Sequence, residues 1–236
     1  MGKAYACSDL HGMFILYKQI NDFLNKDDIV FFLGDAIDRG PDSWRLFKAI
    51  INNPQWIFLK GNHEDMFAKA IKEYYRNDEI PGDAWYLSEY NGGGQTLADW
   101  MADGAYKDWA VVIDELPELK IYYNEIGDAI LLSHAGFTPN AFGALDMTNY
   151  ELIWNRSHFL DTWADGNDDI YIIHGHTPTV SLMKDIKYYP ETFDLSNLKP
   201  IWYCDNHKCC IDLGSFKFRQ TVLLDLDTFE EHYFKL

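Results

Sequence analysis

A chain of 236 residues is long enough to bury a sizeable core and fits one α/β domain over 1–236, at most with an inserted cap. Its 37 acidic and 20 basic residues give a formal charge of -17, which disfavours any partner dominated by a phosphate backbone and so argues against nucleic acid. No charged-then-apolar leader precedes the first strand and no apolar run approaches membrane-spanning length, so a cytosolic protein with no membrane partner is expected.

In chain order, one grammar recurs. Ala4 to Cys7 is an apolar strand that runs into Ser8-Asp-Leu-His-Gly12, after which Leu16, Ile20 and Phe23 share a helical face. A second strand, Val30 to Leu33, ends at Gly34, whose missing side chain lets the backbone turn into Gly34-Asp-Ala-Ile-Asp-Arg-Gly40. Pro41, with its fixed φ and no N–H, suits the opening of the next helix, Trp44 to Ile51, in which Phe47, Ile50 and Ile51 lie together. Trp56 to Leu59 repeats the pattern into Gly61-Asn-His-Glu64, followed by a helix with Phe67, Ala70, Ile71 and Tyr74 on one side. Each helix starts beside a polar loop, so its first amides would bring partial positive charge to a bound anion.

From 77 to 104 the pattern breaks into Ile80-Pro-Gly82, Trp85-Tyr86 and Asn91-Gly-Gly-Gly-Gln95, then an amphipathic fragment from Thr96 to Met101. An excursion from the core is expected there, either a helical cap over the site or a surface insertion. Two more strands follow, Ala129 to Leu132 into Ser133-His-Ala-Gly136 and Ile170 to Ile173 into His174-Gly-His-Thr177. A second excursion, 184–200, is expected at the rim. Asp205-Asn206 marks a hairpin between Ile201 to Cys204 and Cys209 to Ile211. The spacing of Cys204, Cys209 and Cys210 matches no common zinc ligand set, so these thiols and Cys7 are expected to be reduced strand residues. The run 218–227 is strand-like, with Lys217 and Arg219 expected as solvated charges on one strand face.

Open α/β folds gather their ligands beyond the carboxyl ends of strands, so five polar deliveries imply one shared site with Asp35 near its middle. Two Asp, one Asn and three or four His suit a pair of divalent cations such as Mn, Fe or Zn. A carboxylate can bridge two such cations, and metals about 3.5–4 Å apart clamp the attacking and leaving oxygens of an in-line phosphoryl displacement. Any one of these residues alone has an ordinary role in a turn or core; burying all of them together without a cation would cost roughly a few kcal/mol each. His174 and His176 point the same way along a continued strand, so spacing leaves both open as ligands.

Taken together, Ser8-Asp-Leu-His-Gly12, Gly34-Asp-Ala-Ile-Asp-Arg-Gly40, Gly61-Asn-His-Glu64, Ser133-His-Ala-Gly136 and Gly175-His-Thr177 resemble the metallophosphoesterase (calcineurin-like) superfamily. The pairing of the second and third motifs is similar to the phosphoprotein phosphatases in their compact bacterial and phage form. Asn91-Gly-Gly and Leu152-Ile-Trp-Asn-Arg156 also resemble segments of the bacterial members. Ser8 stands where many members carry glycine, a change that removes no ligand.

The resemblance implies an α/β fold, a four-layer α/β/β/α sandwich of two mixed sheets flanked by helices. It makes Asp9, His11 and Asp35 ligands of one cation; Asp35 bridges to a second that also takes Asn62, His134 and His176, leaving His174 either as a support behind the ligands or as a group facing the phosphate. A water or hydroxide between two divalent ions, manganese first among them, would then attack the phosphoester. Arg39, Arg156, Asn62 and His63 would bind the substrate phosphate. His63 would protonate the leaving alkoxide, with Asp38 orienting its imidazole. The implied partner is a phosphoserine or phosphothreonine protein, or a small phosphoester. Two rivals stand beside it: a dinucleoside polyphosphate hydrolase, with Trp85, Tyr86 and Trp202 as candidate base-stacking residues, and an inactive phosphopeptide-binding module.

Overall fold

The computed structural model describes residues 2–77, 86–104, 109–139, 147–163, 168–187 and 194–236. The amino-terminal repeat builds the first sheet: β1 (Ala4–Cys7), α1 (Phe14–Phe23), β2 (Ile29–Phe32), α2 (Ser43–Ile51), β3 (Trp56–Phe58) and α3 (Asn62–Asn77). A helix between successive strands returns the chain to the starting end of the sheet, so β1, β2 and β3 pair in parallel, Ala6 opposite Phe31 and Phe31 opposite Ile57. Two late strands, β9 (Gln220–Asp225) and β10 (Glu231–Lys235), complete it antiparallel in the order β10-β9-β1-β2-β3.

After α4 (Gly93–Asp103) and α5 (Trp109–Asp114) the chain enters the second sheet. Its elements are β4 (Leu119–Tyr123), β5 (Ala129–Ser133), α6 (Asn149–Trp154), β6 (Ile170–His174), α7 (Thr179–Asp185), β7 (Ile201–Tyr203) and β8 (Lys208–Cys210), with α8 (Ser215–Phe218) leading back to β9. β5, β6 and β8 run parallel, and β4 and β7 pair antiparallel at the two edges.

Alternation along the strands decides the layers. Ala4, Ala6, Phe31 and Leu33 face the second sheet and pack with Ile130, Leu132, Ile173 and Cys209 in one buried cluster. Their neighbours Tyr5, Cys7, Val30 and Phe32 face outward onto Leu16, Phe47 and Phe67 of α1, α2 and α3. On the far side, Leu131 and Ile172 meet Leu152 and Ile153 of α6, while Ile201 and Cys210 meet Leu182 of α7. The result is helix, sheet, sheet, helix.

The hairpin forms as expected, with Trp202 opposite Cys209. All four cysteines are free, and among the described residues none joins a candidate metal cluster. Among the same residues no helix is long and apolar enough to cross a membrane. Two expectations need correction. The closing strand starts at Gln220, because Ser215–Phe218 coil into a short helix bounded by left-handed Gly214 and Arg219; Lys217 and Arg219 therefore share no strand face. Pro41 lies just before α2, whose first helical residue is Ser43. The excursion at 77–104, described from Tyr86 onward, packs inward there, with Tyr86, Asn91, Thr96, Leu97 and Trp100 all buried. Of the rim segment 184–200, residues 188–193 lie outside the described residues, and Leu198 joins the core between the sheets.

Candidate metal centre

Sharp turns place polar side chains where the strands stop. Asp9, His11, Asp35, Asp38, Arg39 and His176 have φ between 41° and 70°, a left-handed conformation that costs L residues roughly 1–3 kcal/mol each. Hydrogen bonds between the loops hold them there. The Asp9 N–H donates to the Gly34 carbonyl at 3.0 Å and the His11 N–H to the Asp35 carbonyl at 2.9 Å. The Glu64 carboxylate accepts from the amides of Asp35, Ala36 and Gly61 at 2.8, 2.9 and 3.0 Å. Two glycines leave room for the ligand carboxylates: a Cβ on Gly61 would lie 2.2 Å from Asp35 Oδ1, and one on Gly175 would lie 2.0 Å from Asp9 Oδ2.

Asp35 is common to two clusters. Ligand atoms of Asp9, Asp35 and His134 lie within 4.8 Å of one another, as do those of His11, Asp35 and His63. Asn62 Oδ1 stands 2.9 Å from both His134 Nε2 and His176 Nδ1, and these two nitrogens are 3.1 Å apart. Of the paired histidines, His176 reaches this cluster, whereas His174 Nε2 turns to the Tyr203 hydroxyl at 2.8 Å.

The donor set fits a cation on two grounds. His134 Nδ1 lies 2.7 Å from the Leu33 carbonyl, so that nitrogen carries the proton and Nε2 is an acceptor. It nonetheless faces the Asn62 carboxamide oxygen, a second acceptor, at 2.9 Å; a cation between them turns that opposition into ligation. Charge supplies the other ground. Burial, then the Glu64 and Asp9 carboxylates, push Asp35 well above the usual carboxylate range; burial and then Asp212 do the same to Asp9. Asp212 itself is pushed up to about 6, and burial brings His134 down to about 3. These groups are ready to receive positive charge.

Beside the clusters sits a second arrangement. His63 Nδ1 donates to Asp38 Oδ2 at 2.7 Å, with the two residues 1% and 0% exposed. Its Nε2 accepts from Arg39 Nη2 at 2.9 Å, and the other terminal nitrogen of Arg39 contacts His11 Nε2. Burial, then Arg39 and Arg156, lower the proton affinity of His63. Asp38 is pushed up to about 7 by burial, against hydrogen bonds from Thr96 at 2.6 Å and Tyr86 at 3.3 Å. Arg156 is exposed at the rim, where its Nε donates to the Thr177 hydroxyl at 3.0 Å.

A cleft of about 370 Å³ lies between α3 and α6. Asp65 and Lys69 line it, three and seven residues beyond Asn62 and hence on the same helical face. Trp154 stands in the cleft wall, where its indole N–H donates to Asp65 at 3.4 Å. Both lysines of the cleft are paired with acids, Lys60 with Glu118 at 3.0 Å and Lys69 with Asp65 at 2.7 Å.

Every sequence-predicted site residue is described, and all but the rim-exposed Arg156 converge on the buried centre. Sequence reasoning missed Glu64 as a clamp, Tyr86 and Thr96 behind Asp38, Asp212 beside Asp9, and Ser215, whose hydroxyl donates to the Asp9 carbonyl. Glu64 stood inside a recognised motif; the others act across 48 to 206 residues of chain, with no local signal. Two of the candidate base-stacking residues do other work: Tyr86 is buried against Asp38, and Trp202 packs on Phe229 at 5.0 Å. Trp85 lies outside the described residues.

A profile of the family described as calcineurin-like phosphoesterase matches residues 2–211. A bis(5'-nucleosyl)-tetraphosphatase, symmetrical, of Wigglesworthia glossinidia brevipalpis is 39% identical over 84 residues, 32% of this chain and 30% of that protein. Serine/threonine-protein phosphatase 2 of Escherichia coli (strain K12) is 32% identical over 102 residues, 42% of this chain and 40% of that protein. The chain thus spans less than half the length of these two relatives. Serine/threonine-protein phosphatase 1 of Salmonella typhimurium (strain LT2) is 23% identical, over 74% of this chain and 78% of its own. In fold, the chain matches the crystal structure of a putative diadenosine tetraphosphatase with a TM-score of 0.64 at 13% identity, covering 99% of this chain and 93% of that one.

Proposed function

The chain belongs to the calcineurin-like phosphoesterase family, and from that premise we propose that it is a phosphomonoesterase acting on phosphoserine and phosphothreonine side chains. Asp9, His11 and Asp35 would hold one divalent cation; Asp35, Asn62, His134 and His176 would hold a second. When bound, such cations supply Lewis acidity towards phosphoryl oxygens and acidify water towards neutrality. Arg39 and Arg156 present guanidinium forks that match two phosphate oxygens each. His63 delivers a proton from Nε2 to the departing oxygen, while Asp38 fixes the ring and stabilises its charged form.

The observation that carries this reading is the His63–Asp38 pair, 2.7 Å apart and buried beside Asp35 and Arg39. An alkoxide of serine or threonine leaves poorly without a proton, so a dedicated acid matters most for an alkyl phosphomonoester. The alternative, hydrolysis of a dinucleoside polyphosphate, draws on the named activity of the 39% identical relative. A nucleotide leaving group would carry further phosphates, and both lysines of the cleft between α3 and α6 are already paired with acids; that favours a peptide.

Chelator-stripped protein reloaded separately with Mn, Fe or Zn is expected to release phosphate from a phosphothreonine peptide faster than it cleaves diadenosine tetraphosphate. Faster cleavage of the nucleotide would contradict the proposal, and silence on both after verified loading would favour a binding module. His63→Asn should slow alkyl phosphates far more than an aryl phosphate with a good leaving group; equal losses would remove the acid role.

A further inference from the structure

Behind the histidine ligands lie two histidines that the proposed reaction does not use. His158 Nε2 stands 2.9 Å from the Ala135 carbonyl, next to His134, and His174 Nδ1 stands 3.1 Å from the Gly175 carbonyl, next to His176. A carbonyl only accepts, so each of these nitrogens carries the ring proton and the opposite nitrogen is an acceptor. Both acceptors meet donors. His174 Nε2 lies 2.8 Å from the Tyr203 hydroxyl, and His158 Nδ1 lies 3.4 Å from the Lys208 ammonium. The two rings are 5.5 Å apart, and both close on the same loop, since a Cβ on Gly136 would meet His174 at 2.8 Å and His158 at 3.1 Å.

Tyr203 and Lys208 are register partners in the β7–β8 hairpin, so one cross-strand pair sets both tautomers. Lys208 is fully buried, and its hydrogen-bond partners are neutral: the His158 ring, the His158 carbonyl at 3.1 Å and the Thr138 hydroxyl. An ammonium buried among neutral groups is a poor device for stability. Its value lies in what it orients.

We propose that Tyr203 and Lys208 are positioning residues for the half of the centre that contains His134 and His176. They hold His174 and His158 in the tautomers that grip the neighbouring peptide carbonyls, and so set the aim of the two ligand imidazoles. This inference rests on the two-cation reading above and adds residues that touch neither cation nor phosphate.

The test uses Tyr203→Phe and Lys208→Met in the full chain, with Mn as the probe and equilibrium dialysis as the readout. Each variant is expected to weaken one of two bound Mn ions by about tenfold to a hundredfold, to leave the other near the wild-type value, and to keep the unfolding midpoint of the chelated protein. In chelated wild type, nitrogen-15 NMR of the imidazoles is expected to show a protonated Nδ1 on His174 and a protonated Nε2 on His158. Tyr203→Phe should disturb the first alone. Unchanged affinity for both ions, equal loss of both with a lower midpoint, or the opposite tautomers would each overturn the inference. A wild type that binds fewer than two Mn ions would overturn the two-cation reading, and this inference with it.

Discussion

Around Asp35, loop amides are gathered by one carboxylate; behind His134 and His176, loop carbonyls are held by imidazole N–H groups. Glu64 collects three amides around Asp35, and Asp9 accepts from the His176 amide at 3.0 and 3.2 Å. Opposite them, His158 and His174 each hold one carbonyl. The acid side therefore concentrates negative charge, and burial pushes Glu64 and Asp38 up to about 7. The histidines behind the ligands stay neutral, with His158 brought down to about 2 by burial.

The largest effect should come from breaking the acid side. Glu64→Ala leaves the amides of Asp35, Ala36 and Gly61 without their acceptor in a buried site. A loss of about 3–5 kcal/mol in urea unfolding is expected, together with loss of both cations. Retention of wild-type metal content would show that the clamp is dispensable.

The histidine side should answer to pH instead. His158 has a folded-state pKa far below its unfolded value, so its contribution to stability is complete above about pH 6.5 and is lost as pH falls below that value. His158→Gln removes this titration. The dependence of unfolding free energy on pH between 6 and 5 should flatten by up to about 1.4 kcal/mol per pH unit, and an unchanged slope would mean that His158 is not held neutral.

A smaller effect sharpens the role of Asp38. Thr96 donates to Asp38 at 2.6 Å and lowers its pKa against the burial that raises it to about 7. Thr96→Val should cost about 1 kcal/mol of stability. Because Asp38 then holds its proton to higher pH, the acidic limb of the pH–rate profile should move upward. A shift downward, or none, would detach Thr96 from the dyad.

Much of this centre was legible because parallel strands leave no choice about where their loops go. Once Ala4 to Cys7, Val30 to Leu33 and Trp56 to Leu59 are strands with helical returns, Asp9, Asp35 and Asn62 must meet at one sheet edge. Supports from far along the chain were not legible: Thr96 reaches Asp38 across 58 residues, and the Tyr203–Lys208 pair depends on hairpin register. His174 and His176 differ only in the turn between them, where His176 takes a φ of 66°. Arg219 defeated the strand pattern by a similar left-handed turn, with a φ of 54°. Periodicity carries no trace of such conformations in residues other than glycine.

Asp35 belongs to both candidate clusters. The most direct measurement is the Mn content of wild type and Asp35→Ala after loading and exhaustive dialysis, by elemental analysis. The account predicts two ions per chain in the wild type and fewer than one in the variant, whereas two ions retained without Asp35 would contradict a shared carboxylate at the centre.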